Sequence, residues 1–485
     1  MTFNSWEFLL FYPIVALLYF LLPRCARWPM LLVASYFFYM CYQPELVFLI
    51  FGTTLVSWGM SMLIESAEKH LVKKLALAAA LLVCLGVLFF YKYFNFLSDS
   101  FVGIIELLGG RPSRVELDLI LPVGISFYTF QTLSYVIDVY RGDVKTERNF
   151  FFYALFVSFF PQLVAGPIER PGNLIPQLKE EHRFNKADFT KGAKHMMVGF
   201  FKKICVADLI SVYVNAVYNN VGEATAIGVI LASALFAVQI YCDFSGYTDI
   251  AIGCARIMGI RLMKNFDHPY MATSIKEFWS RWHISLSSWF KDYLYIPLGG
   301  SRVARWRYLM NVMIVFLVSG LWHGAAWTFV IWGALHGFYQ IVGNLTAPLR
   351  ARLVEKCGFT ESSSLLIWVR RVNTFILVTF AWIFFRANSI DDALLLVKTL
   401  FTGWSVPVAE VFSRMELGLV GVLMTLLSVI TLVMLERLLV YEDASDGSEA
   451  LTRDFSFAYF IWIIAFCWAL LLSKDMTSSF IYFQF

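Results

Sequence analysis

The stretch "SGLWHGAAWTFVIWGALHG" (319–337) contains no acidic residue and no lysine, and most of it is apolar or aromatic, yet it holds His323 and His336. Imidazole is polar, and burying a polar group without a partner costs roughly 2–7 kcal/mol. Each histidine therefore needs a compensating contact or a chemical role. A continuous helix would not let the two share one, because their separation in sequence corresponds to about 20 Å along the axis and about 220° around it. Gly324, directly after His323, is the natural place for the helix to break. A histidine at such a break sits where backbone groups are released and a cavity can reach it. His336 lies in the more regular run "WTFVIWGALHGFY" and reads as a hydrogen-bonded core or interface residue.

The rest of the chain explains why so greasy a segment is tolerated. Hydrophobic residues make up 59% of the 485 positions and aromatics 18%. Charged residues reach only 15%, against ~25% in an ordinary soluble domain. That is too little charge to cover a soluble surface of this size, so the composition points to a polytopic membrane protein. The net charge of +4 is too small to mark a nucleic-acid partner and suits basic loops on a cytoplasmic face. The eight cysteines form no CxxC pair; Cys84 and Cys467 sit in apolar runs and Cys205, Cys242 and Cys254 are scattered. They read as free thiols, not as a disulfide framework or a zinc site. The opening "MTFNSWEFLLFYPIVALLYFLLPRCAR" lacks a basic n-region and a small-residue cleavage site, and reads as a retained membrane helix.

Spanning segments are expected at 7–23, 28–42 with 45–64, 75–97, 121–140, 150–166, 194–218, 224–259, 309–347, 366–386, 415–437 and 455–473. Allowing for double passes and re-entrant pieces, about ten to twelve membrane segments follow. No linker, low-complexity stretch or internal repeat divides the chain. One integral membrane domain over 1–485 is expected: N-terminal helices over about 1–120, a core over 121–347 and C-terminal helices over 348–485. The polar stretch 168–194 should lie outside the hydrocarbon, as should the net acidic loop 437–455. Arg350, Arg352, Lys356, Arg370 and Arg371 place the loop near 349–371 on the cytoplasmic side.

Four central stretches do not behave as lipid-facing helices. "LPVGISFYTFQTLSYVIDVYRG" (121–142) carries Gln131 and Asp138, and "FFPQLVAGPIERPG" (159–172) is broken by prolines and glycine. "YCDFSGYTDIAIGCARIMGI" (241–260) carries Asp243 and Asp249. In "SIKEFWSRWHISLSSWFKDYLYIPLGG" (274–300), Phe278, Trp282, Trp289, Tyr293 and Ile296 recur at spacings of three, four and seven, predicting one amphipathic helix suited to the interface or to a re-entrant position; the plainer alternative sets His283 on its polar face near headgroups. Ionisable groups at membrane depth face a bundle interior or a water-filled cavity. The middle of the chain, about 121–340, is therefore expected to line an internal polar cavity. The plainer alternative is that these groups only pair with one another to hold helices together.

No G-x-S-x-G elbow, Walker loop, G-x-G-x-x-G turn or HExxH is present, and Ser245 in "DFSGYTD" lacks the strand–turn–helix setting of a hydrolase nucleophile. No metal is expected, since neither His-x₃-His spacing nor nearby cysteine accompanies the histidines. A neutral histidine in an apolar tunnel suits another task. It can take the proton from a hydroxyl as that oxygen attacks a thioester, or activate a carrier thiol or serine.

"EFWSRWHISLSSWFKDYLYIPLGG" followed by "SGLWHGAAWTFVIWGALHG" resembles the signature of the membrane-bound O-acyltransferase family. The likeness extends through "LPVGISFYTFQTLSYVIDVYRG", "FFPQLVAGPIERP" and "CDFSGYTDIAIG" to the ends "NSWEFLLFYPIVALLYFLLP" and "FIYFQF". Within the family it is most similar to the bacterial alginate and peptidoglycan O-acetylation branch, since "YLYIPLGGSR" is a run the teichoic-acid D-alanylation branch lacks. The resemblance implies an all-α ring of slanted transmembrane helices, with re-entrant segments, around a central tunnel. It implies that His323 of the WHG motif is catalytic, with His283 of the RWH motif beside it. Arg281, Trp282 and Trp322 would shape the substrate site, and Asp243, Ser245 and Gln131 would line or support it; His336 is kept as a substrate-site candidate. No bound cofactor is implied; acetyl-CoA would be the acyl donor, entering from the cytoplasm. An extracytoplasmic SGNH-type acetyltransferase would receive the acetyl group and modify an exported polysaccharide. The protein would sit as a multi-pass protein in the cell inner membrane, among lipid and without nucleic acid.

Two other classes compete. A transporter or flippase for a lipid-linked sugar would also need broken helices and polar groups at membrane depth, but the chain shows no internal repeat of the sort many transporters carry. A structural subunit of an export complex would use its histidines only for packing. Within the enzyme class, D-alanyl transfer or direct acylation of a lipid are the alternatives.

Overall fold

The computed structural model describes residues 1–444 together with Trp462, Ala465, Trp468, Phe480 and Ile481. Among these residues the secondary structure is helical, with no strand. Among the described residues, five helical segments are long and apolar enough to cross a membrane: Pro44–Ser66, His70–Leu107, Ala226–Ile257, Ser364–Arg386 and Leu419–Leu438. The chain is an all-α, multi-pass membrane protein. The other segments expected from hydropathy are interrupted or shorter. The 150–166 segment divides at Phe159 into Phe150–Ser158 and Phe160–Leu163, with Pro161 in the first turn of the second. The 309–347 segment divides into Arg305–His323 and Trp327–Leu345. The segment expected at 455–473 falls outside the described residues apart from Trp462, Ala465 and Trp468, as do 445–455 of the acidic loop and 482–485 of the terminal motif. Helix Leu419–Ala444 runs on through the start of that loop.

Two compact units emerge. The first comprises Met1–Met196 and Thr248–Met263. At its centre, helix Ile125–Arg141 is buried on nearly every side and packs against Val47–Ser66 and His70–Leu88. It starts at Gly124, whose φ of 74° suits glycine and where a Cβ would lie 2.6 Å from the carbonyl oxygen of Leu163. Gln131 belongs to this unit. The amide of Phe160, which would continue the preceding helix by donating to the carbonyl of Phe156, donates instead to Ser35 Oγ at 3.1 Å. The stranded carbonyl of Phe156 accepts from Gln131 Nε2 at 2.7 Å and from Gln162 Nε2 at 2.9 Å. Gln131 thus satisfies a broken helix end, as buried backbone groups require.

The start of the polar stretch 168–194 is also fastened within the first unit. Gln177 donates to the carbonyl of Arg261 at 3.0 Å and accepts from the amide of Arg261 at 2.8 Å. Glu169, fully buried, accepts from the amide of Met263 and from Asn173 Nδ2. Burial pushes its carboxyl up to about 7, against the pull of these donors.

The second unit comprises Met197–Tyr247 and Lys264–Phe485. Helices Arg305–His323 and Trp327–Leu345 pack most intimately, because glycines let their backbones meet. A Cβ on Gly320 would lie 2.3 Å from the carbonyl oxygen of Phe329, and one on Gly333 the same distance from that of Phe316. Ser364–Arg386 packs on the second helix of this pair, which brings Trp382 and Phe385 into the core around the histidines.

Candidate active site

Helix Arg305–His323 ends where expected. Gly324 adopts an extended conformation, and the next helix begins at Trp327. A Cβ on Gly324 would lie 2.1 Å from the ring of Phe329, so the break holds the residue after His323 against an aromatic wall. His323 occupies the last helical turn and is 4% exposed.

The stretch 274–300 departs from its expected form. It is not one amphipathic helix but two short ones, Ile275–Arg281 and Ile284–Phe290, followed by a π-helical turn Lys291–Tyr295. The chain turns at His283, whose backbone is left-handed at φ 44° and ψ 55°. A β-carbon in that region costs of order 1–3 kcal/mol, which the surroundings must offset. His283 consequently does not lie on a polar surface; it is completely buried.

These two departures from helix bring the imidazoles together. The ring centroids of His283 and His323 are 6.5 Å apart. Trp322 stands 5.8 Å from the first ring and 5.0 Å from the second. Phe244 packs edge-on against His283 at 4.7 Å, while Trp332 and Phe385 stand 4.9 and 5.5 Å from His323. The pair is enclosed by aromatic faces. Such a pair can exchange a proton with a substrate without placing a permanent charge in the core.

His336 is separated from this pair. Its ring lies 5.1 Å from Trp332, which stands between it and His323, and its Nδ1 accepts from Trp279 Nε1 at 3.2 Å. Its ring is thus hydrogen-bonded within the buried aromatic core. Trp282 is fully buried and stacks on Phe278 at 5.5 Å, with Trp382 at 5.3 Å, forming the wall behind the turn. Arg281 pairs with Glu277 at 2.8 Å and is partly exposed.

Asp243 belongs to a different constellation. Its carboxylate accepts from Lys203 Nζ at 2.6 Å and from the backbone amide of Ile481 at 2.8 Å. Lys203 also pairs with Asp208 at 3.0 Å. The π-helical turn Phe201–Asp208 explains this, since its five-residue repeat puts positions 203 and 208 on one face. Ser245 is buried two positions along the helix from Asp243, with Phe244 of the histidine wall between them. Sequence reasoning missed Lys203 and Asp208, although two adjacent lysines inside an apolar segment were a visible signal. It also missed Asn265, which hydrogen-bonds His283 across eighteen positions; no local pattern marks such a contact. Among the described residues no cluster of three His, Cys, Asp or Glu side chains is arranged to hold a metal ion.

The sequence model of the membrane-bound O-acyltransferase family matches residues 144–385, a span that includes both paired histidines. The probable alginate O-acetylase of Pseudomonas putida is 36% identical over the full length of both chains. The chain belongs to the membrane-bound O-acyltransferase family. It is therefore an O-acyltransferase that uses an acyl donor. The probable alginate O-acetylase of Pseudomonas aeruginosa is 38% identical, over 83% of this chain and 75% of its own. The peptidoglycan O-acetyltransferase of Helicobacter pylori is 35% identical, over 80% of this chain and 77% of its own.

Proposed function

We propose that this O-acyltransferase takes the acetyl group of cytoplasmic acetyl-CoA and relays it across the cell inner membrane for O-acetylation of an exported polysaccharide, alginate, peptidoglycan or a similar glycan. The observation that carries the chemistry is the buried pair of His283 and His323, 6.5 Å apart within aromatic walls at two helix breaks. The names of the relatives support the acetyl group and the glycan. The core over 121–347 holds both histidines.

His323 is the general base. Its neutral imidazole takes the proton of an acceptor hydroxyl as that oxygen bonds to the thioester carbonyl carbon. The carbon–sulfur bond then breaks, the imidazolium returns the proton to the leaving CoA sulfur, and the products are an ester and CoA-SH. His283 shares the proton or orients the acceptor. Trp322 and Trp282 confine the acyl group, while Arg281, Ser245 and His336 shape the substrate path and Asp243 braces it. An extracytoplasmic SGNH-type acetyltransferase completes the transfer to the glycan.

Purified protein supplied with radiolabelled acetyl-CoA and its co-expressed partner tests this. CoA release and label transfer should vanish in His323→Ala and persist in part in His336→Ala. Undiminished turnover in a folded His323→Ala protein would sink the mechanism.

A further inference from the structure

Asn265 is fully buried, and three donors converge on its Oδ1. The backbone amide of Ser285 approaches it at 3.3 Å and the hydroxyl of Ser285 at 2.9 Å. A backbone N–H can only donate, so the atom facing it must be the carbonyl oxygen, which fixes the orientation of the side-chain amide. The same oxygen lies 3.1 Å from Nδ1 of His283. A carbonyl oxygen has no proton to give. Nδ1 must therefore carry the hydrogen, and the lone pair of the neutral ring resides on Nε2.

Asn265 holds the same turn by its main chain. Its carbonyl accepts from the amide of Ile284 at 2.9 Å, the residue directly after the left-handed His283. One buried residue thus grips the main chain of Ile284, the side chain and amide of Ser285, and the imidazole of His283. This is more than the packing of a helix start requires.

We propose that Asn265 is a positioning residue for His283: it locks the imidazole as the Nδ1–H tautomer and so makes Nε2 the atom that accepts or passes a proton. The catalytic consequence rests on the reading of His283 given above, while the tautomer lock itself does not. Outer partners that orient a histidine through its second nitrogen, best measured at metal sites, typically contribute about 10–100-fold in function. The same scale is expected here. Asn265→Leu, close in shape but without the acceptor, should lower kcat by about 10–100-fold and leave KM for acetyl-CoA within about twofold. Asn265→Asp retains an oxygen facing Nδ1–H and should recover most of the loss.

The lock is tested directly by solid-state nitrogen NMR of ¹⁵N-histidine-labelled full-length protein in liposomes. The His283 resonances are identified by their disappearance in His283→Gln. The wild type should show the Nδ1–H tautomer, and Asn265→Leu should shift the population away from it; an Nε2–H tautomer in the wild type overturns the proposal. The kinetic arm places Asn265→Leu in a His283→Gln background. Acting through His283, it should cause no further loss there. Losses that multiply, or an Asn265→Asp protein no better than Asn265→Leu, would assign Asn265 to general packing and overturn the positioning role. Wild-type turnover in His283→Gln would remove His283 from the reaction and the catalytic consequence with it, yet leave the NMR result to decide the tautomer.

Discussion

Two buried polar constellations occupy the second unit, and they solve the same problem in opposite ways. Lys203, Asp208 and Asp243 are charged groups withdrawn from solvent, and each finds an opposite charge within 3.0 Å. Phe480 lies under the ammonium at 4.3 Å and the amide of Ile481 caps Asp243. The histidine pair is walled by aromatic rings instead, with one ring nitrogen of His283 bound to Asn265. A charged cluster whose members satisfy one another has little left to offer a substrate. A histidine pair within aromatic faces is the arrangement to which the proposed mechanism assigns proton transfer. The first arrangement satisfies itself, and the second is the one the proposal uses for chemistry.

The sharpest way to break that contrast is to remove one group from each side. His323→Ala should lower turnover by at least ~10²–10⁴-fold, the usual contribution of a general base, with the thermal midpoint in detergent nearly unchanged. Lys203→Met should do the reverse. It removes the cation shared by two buried carboxylates, and breaking such a cluster typically costs about 3–5 kcal/mol. Fluorescence-detected thermal unfolding should show a large fall in midpoint, while the folded fraction keeps turnover within a few-fold of wild type. A Lys203→Met protein of normal stability and no activity would move the ionic cluster into the catalytic machinery and erase the division.

How much of this contrast was legible in sequence depends on how local each signal was. The break after His323 could be read from Gly324 and from the mismatch between two histidines and helical geometry. The turn at His283 could not. Aromatic residues recur across 274–300 with helical spacing, and that recurrence conceals a single left-handed residue, because periodicity reports which side chains are buried and not where φ changes sign. Asp243 was legible as an ionisable group in an apolar helix but not as the partner of Lys203, forty positions away. Likewise, Gln131 stood out as polar within an aromatic helix, but its task of capping the carbonyl of Phe156 depends on where a neighbouring helix breaks. Composition and motif order sufficed for the fold class and the family; contacts between distant segments required the coordinates.

His336 sharpens the contrast from within the aromatic core. It is as buried as His283, but its Nδ1 serves the indole N–H of Trp279. His336→Phe keeps a flat aromatic ring, somewhat larger, and strands that donor, which costs about 1–3 kcal/mol. Thermal stability should fall measurably while turnover falls less than about tenfold. A loss as deep as that of His323→Ala would mean that all three histidines act as one relay.

The effect with no bearing on turnover concerns Glu169 in the first unit, a buried carboxyl with hydrogen-bond donors but no role in the contrast above. Its folded pKa is raised to about 7 by burial, from 4.5 for the ordinary side chain. For an acid raised in this way, the folded form holds its proton where the unfolded chain has released it. Its contribution to stability is complete below pH 4.5 and is lost as pH rises through about 7. Within that window the wild type should lose about 1.4 kcal/mol per pH unit from this group. Glu169→Gln keeps an oxygen to accept from the amide of Met263 but cannot titrate. Its unfolding midpoint should vary less with pH between 4.5 and 7, and it should exceed that of wild type most clearly at the alkaline end. Parallel pH profiles for the two proteins would show that Glu169 is ionised throughout, its charge held by Met263 and Asn173. The first unit would then hold a buried charge on hydrogen bonds and the attraction of neighbouring Arg170, where the second unit pairs Lys203 directly with its two aspartates.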